Sequence, residues 1–227
     1  MIELRRVSRT YATGDTVFHA LHPTDLTIGA GEFVCVAGPS GSGKTTLLNL
    51  LGGVDRPSSG EVRLAGHRID GLSATAMARM RRDTIGFVFQ SFNLIPVLSV
   101  YENVEYILLL KGMEAAQRRE LINAALRSVG LQGMERKRPP ELSGGQQQRV
   151  AVARAIVGQP PVVLADEPTG SLDSRTGRKL MTLLRDINRR RGTTFVYSSH
   201  DPHVIDRASR VILLRDGAVV ADRRQDG

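Results

Sequence analysis

The chain has 227 residues, 41% of them hydrophobic and 24% charged, which suits one α/β domain with a sizeable core or two tightly merged subdomains. Its formal net charge of +8 invites a nucleic-acid partner, yet the arginines are scattered, and Arg79-Met80-Arg81-Arg82 and Arg189-Arg190-Arg191 read as solvated helix ends, so no nucleic acid is expected. A single cysteine, Cys35, in an apolar run excludes a disulfide framework or a zinc centre. The start, Met1-Ile2-Glu3-Leu4-Arg5-Arg6, has no apolar segment behind a basic stretch, and no signal peptide is expected. No run approaches the roughly 20 apolar residues of a membrane span. A cytosolic chain is expected, with any membrane crossing left to another polypeptide. A surface rich in anionic lipid would also tolerate the charge.

In chain order, residues 32–37 form a buried-strand pattern, followed by a Gly-rich turn and a helix over 46–51 that Gly52-Gly53 stops. Residues 84–89 read as a further strand. Ile122, Ala125, Leu126 and Val129 fall at i, i+3, i+4 and i+7, the mark of an amphipathic helix. Val162-Val163-Leu164-Ala165 is a continuous apolar run of the kind buried in parallel sheets. Leu180, Leu183, Leu184 and Ile187 repeat the helical spacing. Strands follow over 193–197 and 210–214, and Asp216-Gly217 turns the last into 218–221 as a hairpin. Alternating β and α segments predict a mostly parallel sheet flanked by helices. Residues 91–156 lack strand patterns and read as a helical insertion.

Gly38-Pro39-Ser40-Gly41-Ser42-Gly43-Lys44-Thr45 matches G-x-x-x-x-G-K-[ST] at every fixed position, between a predicted strand and a predicted helix. Glycines let backbone N–H groups curl around phosphates, and the helix presents its positive end to them. In that role Lys44 reaches the β and γ phosphates and the Thr45 hydroxyl ligates Mg²⁺. Gly38, Ser40, Gly41, Ser42, Gly43, Lys44, Thr45 and Thr46 are therefore the candidate nucleotide cradle, with ATP and Mg²⁺ as cofactors. The strand Val162–Ala165 ends in Asp166-Glu167. Asp166 is the candidate Mg²⁺ ligand, and Glu167 the group that polarises a water against the γ-phosphate.

Leu142-Ser143-Gly144-Gly145-Gln146 is a second anion-binding design. Ser143 and Gln146 form an S-x-x-Q capping box at the start of a helix through Val150 and Ala153, and the glycines leave its first N–H groups uncovered. One nucleotide needs only one such helix end. Two ends of different design suggest a second copy of the chain, each lending its spare end to the other.

That motif resembles the signature of the ABC ATPases, and the motif order matches over nearly the whole chain. The segments Ile85-Gly86-Phe87-Val88-Phe89-Gln90-Ser91-Phe92-Asn93-Leu94-Ile95-Pro96 and 142–149 are most similar to the subunits of lipoprotein-releasing and macrolide-exporter type transporters. The resemblance implies a single nucleotide-binding domain over 1–227. Within it, 1–90 and 157–227 would be a phosphate-loop NTPase (RecA-like) α/β core with an N-terminal antiparallel β subdomain, and 91–156 a helical subdomain. It implies that Tyr11 stacks on adenine, the alternative being an aromatic that fills the β subdomain. Lys44, Gln90, Glu167 and His200 would be catalytic, with Gln90 touching Mg²⁺ and the attacking water and His200 bonding the γ-phosphate. Ser143, Gly144, Gly145 and Gln146 would meet the nucleotide of the opposite subunit, and Asp173 would cross the dimer interface. Ser198-Ser199 stands where a Val-Thr pair is common, with no consequence expected for chemistry.

The partners implied are a second copy, closing head to tail around two ATP, and a separate transmembrane permease at the cytoplasmic face of a bacterial inner membrane. A membrane-fusion or periplasmic protein would extend that set. Residues 91–104 are unusually apolar for a loop and either line a groove for a cytoplasmic helix of the permease or form the core of the helical subdomain; Glu102 is the charge to reverse. Lipoprotein release or efflux is the implied work, and a cell-division type ABC ATPase without transport is the alternative. No heptad run separates the two motifs, unlike the DNA-repair ABC ATPases, and a single motif set differs from the ribosome-bound factors.

Overall fold

A computed structural model describes residues 1–14 and 16–225. Strands β1 (Ile2–Thr13) and β2 (Thr16–Ile28) form a long antiparallel hairpin, and β4 (Ser59–Leu64) and β5 (His67–Arg68) extend it to a four-stranded sheet in the order β2-β1-β4-β5. The second sheet holds β3 (Phe33–Ala37), β6 (Ile85–Val88), β7 (Val162–Ala165), β8 (Thr194–Ser199), β9 (Arg210–Arg215) and β10 (Ala218–Arg224), in the order β10-β9-β3-β8-β7-β6. Its β6, β7, β8, β3 and β9 pair in parallel, and only β10 runs antiparallel. This is the expected α/β architecture, a mostly parallel sheet beside an N-terminal antiparallel one.

The five residues of β3 are all buried because both sheet faces are covered. Phe33, Cys35 and Ala37 join one core with Val163, Phe195 and Tyr197, whereas Val34 and Val36 join a second with Leu47, Leu51, Val196 and Ile212. The period of two thus divides one strand between two hydrophobic layers. The first core is closed by α3 (Val100–Leu110), α4 (Ala115–Ser128), α5 (Gly144–Ile156), α6 (Ser174–Arg191) and the short α7 (Pro202–Ile205). The second holds α1 (Lys44–Leu51), α2 (Ala74–Thr84) and the inner face of the four-stranded sheet.

Several boundaries differ from the sequence reading by a few residues. The helix expected over 46–51 begins at Lys44, because Gly43 already adopts φ 100° and releases the chain into the first turn. The strand expected from Thr84 begins at Ile85: Thr84 ends α2, its hydroxyl donating to the Met80 carbonyl at 2.6 Å. Asp216 and Gly217 both take positive φ, 49° and 75°, as a two-residue hairpin turn requires. Its second strand runs to Arg224 rather than 221, fastened by the Arg210 guanidinium on both Asp222 oxygens at 2.7 and 2.6 Å. Between Phe89 and Pro161 no described residue is in a strand.

Candidate functional site

The phosphate loop leaves β3 at Ala37 and enters α1 at Lys44. A β-carbon on Gly38 would strike the Leu214 carbonyl oxygen and the Ser42 hydroxyl, and one on Gly43 would lie 2.6 Å from the Ala20 carbonyl oxygen. Glycine is therefore required at both by close backbone packing as well as by φ. Gly43 offers α1 no side-chain cap, so the first N–H groups of that helix keep their capacity for an anion. The loop lines a cavity of about 290 Å³ with Ser40, Gly41, Lys44, Thr45 and Thr46 on its floor and Phe18 and Glu167 on its walls.

Lys44 is 5% exposed. Its Nζ donates to the Gly38 and Pro39 carbonyls, at 2.9 Å each, and lies 3.6 Å from Glu167 Oε1. The Thr45 hydroxyl donates to Asp166 Oδ2 at 2.8 Å. Glu167 follows Asp166 at the open end of β7 with φ 43°, an uncommon conformation for a side-chain-bearing residue. Its carboxylate meets His200 Nδ1 at 3.1 Å. Residues far apart in sequence, from the loops after β3, β7 and β8, thus converge within hydrogen-bond range. Ligands cluster at such carboxyl ends of parallel strands.

The hydroxyl of Ser198 donates to Asp166 Oδ1 at 2.6 Å and accepts the Glu167 N–H at 2.8 Å. Of the Ser198-Ser199 pair, Ser198 thus holds both members of the acidic pair, while Ser199 Oγ accepts the Asp201 N–H at 3.1 Å. The β8 strand is fully buried here, and only its pairing with β7 reveals the contact.

Thr45 and Asp166 present hard oxygen donors side by side, suited to Mg²⁺, which takes one or two protein oxygens and completes its shell with phosphates and water. Gln90 is not among the residues that line the phosphate-loop cavity. A β-carbon on Gly170 would lie 2.7 Å from Gln90 Nε2, and the Ser171 hydroxyl donates to the Gln90 carbonyl at 3.1 Å.

The helix start at Ser143 is closed by the predicted box: Ser143 N–H donates to Gln146 Oε1 at 2.9 Å, and Gln146 N–H returns to Ser143 Oγ at 3.4 Å. A β-carbon on Gly145 would come 2.6 Å from Thr176 Cγ2, because α5 and α6 begin side by side. Gly144 lies between Phe92 and Leu172. Ser143 is exposed, and none of residues 143–146 lines the phosphate-loop cavity.

A sequence profile described as "ABC transporter" matches residues 21–170. The chain belongs to the ABC transporter family. It is 49% identical to the "Lipoprotein-releasing system ATP-binding protein LolD" of Anaeromyxobacter dehalogenans, over 97% of this chain and 93% of that one. It is 47% identical to the "Macrolide export ATP-binding/permease protein MacB 1/2" of Paracoccus denitrificans, but spans 33% of that longer chain. Among solved structures, the "Dimeric structure of a post-hydrolysis state of the ATP-binding cassette MJ0796 bound to ADP and Pi" superposes with TM-score 0.92 and 44% identity over 100% of both chains. The chain is accordingly an ABC-type ATPase.

The cassette places two expected residues in local roles. Asp173 caps α6, its Oδ1 accepting the Arg175 and Thr176 N–H groups at 3.0 Å each, and the bonds from Thr176 hold its carboxyl below the usual range. Tyr11 is 39% exposed, donates its hydroxyl to Asp55 Oδ2 at 2.7 Å and has the Arg9 guanidinium 4.4 Å from its ring centre. Its cross-strand partner Phe18 is the aromatic that lines the cavity of the ABC ATPase, at 60% exposure. Sequence reasoning missed Phe18 because the long hairpin carries no clean alternation in its first half.

A second cavity of the cassette, about 470 Å³, lies among α2, α3 and the loop after β6, with Phe87, Phe89, Asn93, Ile95, Tyr106 and Leu110 on its walls. Of the apolar segment 91–104, Asn93 and Ile95 face this groove, while Val100, Asn103 and Val104 are buried in the core. The segment thus divides between a cavity wall and the buried core. Glu102 does not line the groove; it caps α3, accepting the Ser99 N–H and hydroxyl at 2.7 Å each.

Proposed function

We propose that the chain is the ATP-hydrolysing subunit of a transport complex. Two copies close head to tail around two Mg-ATP and drive a separate membrane permease, for lipoprotein release or export. The observation that carries this is the pairing of Lys44, Thr45, Asp166, Glu167 and His200 around one phosphate cavity with a capped helix start at Ser143 that takes no part in it. Within this scheme residues 1–90 and 157–227 are the nucleotide-holding core and 91–156 the helical signature subdomain.

Lys44 turns from the loop carbonyls to the β and γ phosphates, where its ammonium neutralises developing charge. Thr45 and Asp166 would hold Mg²⁺, which would supply charge neutralisation to the triphosphate. Glu167 accepts a proton from the water that attacks the γ-phosphorus, with Gln90 orienting that water. The bond to the bridging oxygen breaks, giving ADP and phosphate. Ser198 keeps the Glu167 backbone in place, and His200 steadies the carboxylate and the transferred phosphoryl group. Ser143, Gly144, Gly145 and Gln146 of one copy, with Asp173 beside them, complete the site of the other, while Tyr11 and Phe18 offer aromatic surface to the adenine. Contacts that exist only in the closed pair let ATP shift the equilibrium towards closure.

No helix among the described residues is long and apolar enough to cross a membrane; in this scheme the chain sits peripherally at the cytoplasmic face, against its permease. The apolar groove beside α3 receives a cytoplasmic helix of the permease. The names of the relatives support the transport role, and a membrane-fusion protein belongs to the complex if its work is efflux. The decisive test is Glu167→Gln. ATP traps a dimer of this variant in size-exclusion chromatography, and turnover falls by at least about a hundredfold, the lower range for losing a general base. A variant that stays monomeric with ATP refutes the closed pair.

A further inference from the structure

The amide of Gln148 occupies a position that the proposed function leaves unused. Gln148 lies in the second turn of α5, with 0% of its surface exposed. Its Nε2 donates to the Pro168 carbonyl at 2.6 Å and to the Phe89 carbonyl at 3.3 Å. Pro168 immediately follows Glu167, and Phe89 immediately precedes Gln90. One side chain on the signature helix therefore holds the backbone of both segments that carry the water-handling residues.

The orientation of the amide is fixed by its partners. Two carbonyl oxygens demand a donor at that end, and a flipped amide would set oxygen against oxygen. Oε1 has no hydrogen-bond partner among the described residues although it is buried, so the donor pair alone justifies a polar residue in this otherwise apolar layer. For packing alone, a methionine or leucine would serve better, since a buried polar atom without a partner costs free energy. Neighbouring Gln147 has no such link; its Nε2 donates to Leu142, within the signature segment itself.

We infer that Gln148 is a positioning residue for ATP hydrolysis, transmitting the placement of the signature helix to Glu167 and Gln90. A displacement of α5 on meeting the partner's nucleotide reaches both Pro168 and Phe89 through this amide. The strained Glu167 backbone, at φ 43°, is then held from both sides, by Ser198 on its N–H and by Gln148 on the next carbonyl. The inference rests on the proposed function.

The test compares wild type with Gln148→Met, which keeps length and volume and removes both donors. The expected result is a kcat at least about tenfold lower, with KM for ATP and the Kd of a fluorescent ATP analogue within about twofold of wild type. The same pattern, smaller in size, is expected for Gln148→Asn, which keeps the amide one methylene short. Unchanged kcat overturns the inference, as does a loss of kcat and affinity together. If Gln148→Met fails to fold, Gln148→Asn is judged by the same split, and failure of both to fold assigns the residue to the core and overturns the inference. Absence of ATPase activity in the wild type would instead sink the proposed function, whereas an active wild type beside an equally active Gln148→Met sinks this inference alone.

Discussion

The two helix starts aimed at phosphate are built on opposite plans. At α1 the position before the helix is Gly43, left-handed and without a side-chain cap, and the surrounding loop gathers Lys44, Thr45, Asp166 and Glu167 into one network. At α5 the position before the helix is Ser143, closed by its own serine–glutamine box, and the two glycines that follow it pack against Phe92, Leu172 and Thr176. On the proposed function the first end holds the machinery for hydrolysis, and the second offers N–H groups and a hydroxyl on an exposed surface. That division of labour makes sense when the two ends meet across a pair of chains. A helix dipole with its backbone donors attracts an anion, but positioning water and metal takes side chains from several strands.

Breaking the first end has the largest expected effect. Lys44→Ala removes a buried cation and should lower kcat/KM by about 10²–10³, the range for one lost electrostatic contact to a transition state; steady-state phosphate release measures it. If the loss is less than tenfold, the loop is not the catalytic cradle. Ser198→Ala sharpens the comparison, because it leaves every charged group in place and removes only the hydroxyl shared by Asp166 and the Glu167 N–H. We expect a loss of stability of about 1–3 kcal/mol from the unpaired N–H and a kcat roughly tenfold lower. Equilibrium denaturation and turnover together check this, and a variant that loses stability without losing kcat would restrict Ser198 to the fold.

Much of this division was legible in the sequence, because both designs are local. The glycines of 38–45 and the box of 143–146 act within a few residues, and the run 162–165 announces a strand buried on both faces. Across-sheet relations were not legible. Ser198 meets Asp166 only because β8 lies beside β7, and Phe18 reaches the cavity only through a hairpin whose outer half is exposed on both faces. The local roles of Asp173, expected at a dimer interface, and of Glu102, the charge chosen for reversal, were not legible either: each carboxylate accepts hydrogen bonds at a helix start. The end of α2 was legible in its arginines, but its start at Ala74 was not, because Met77 is its one buried residue.

The smallest expected effect concerns the layer beneath the phosphate loop. Burial pushes the Cys35 thiol up to about 12, so the reactive thiolate is scarce at neutral pH. A thiol reagent such as Ellman's reagent should leave the native protein unmodified and titrate the thiol only after denaturation, with turnover unchanged in the meantime. Rapid labelling of the native chain would mean that the core under the loop opens readily.

The most direct test of the central claim is a mixing experiment. Glu167→Gln disables the first end and Ser143→Arg blocks the second, so each homodimer lacks two working composite sites. A mixed dimer combines one doubly damaged site with one intact site. Equal mixing before addition of ATP should therefore restore about a quarter of the wild-type rate, since half of randomly paired dimers are mixed and each holds one of two sites. A mixture no more active than either variant alone would contradict a site shared between two chains.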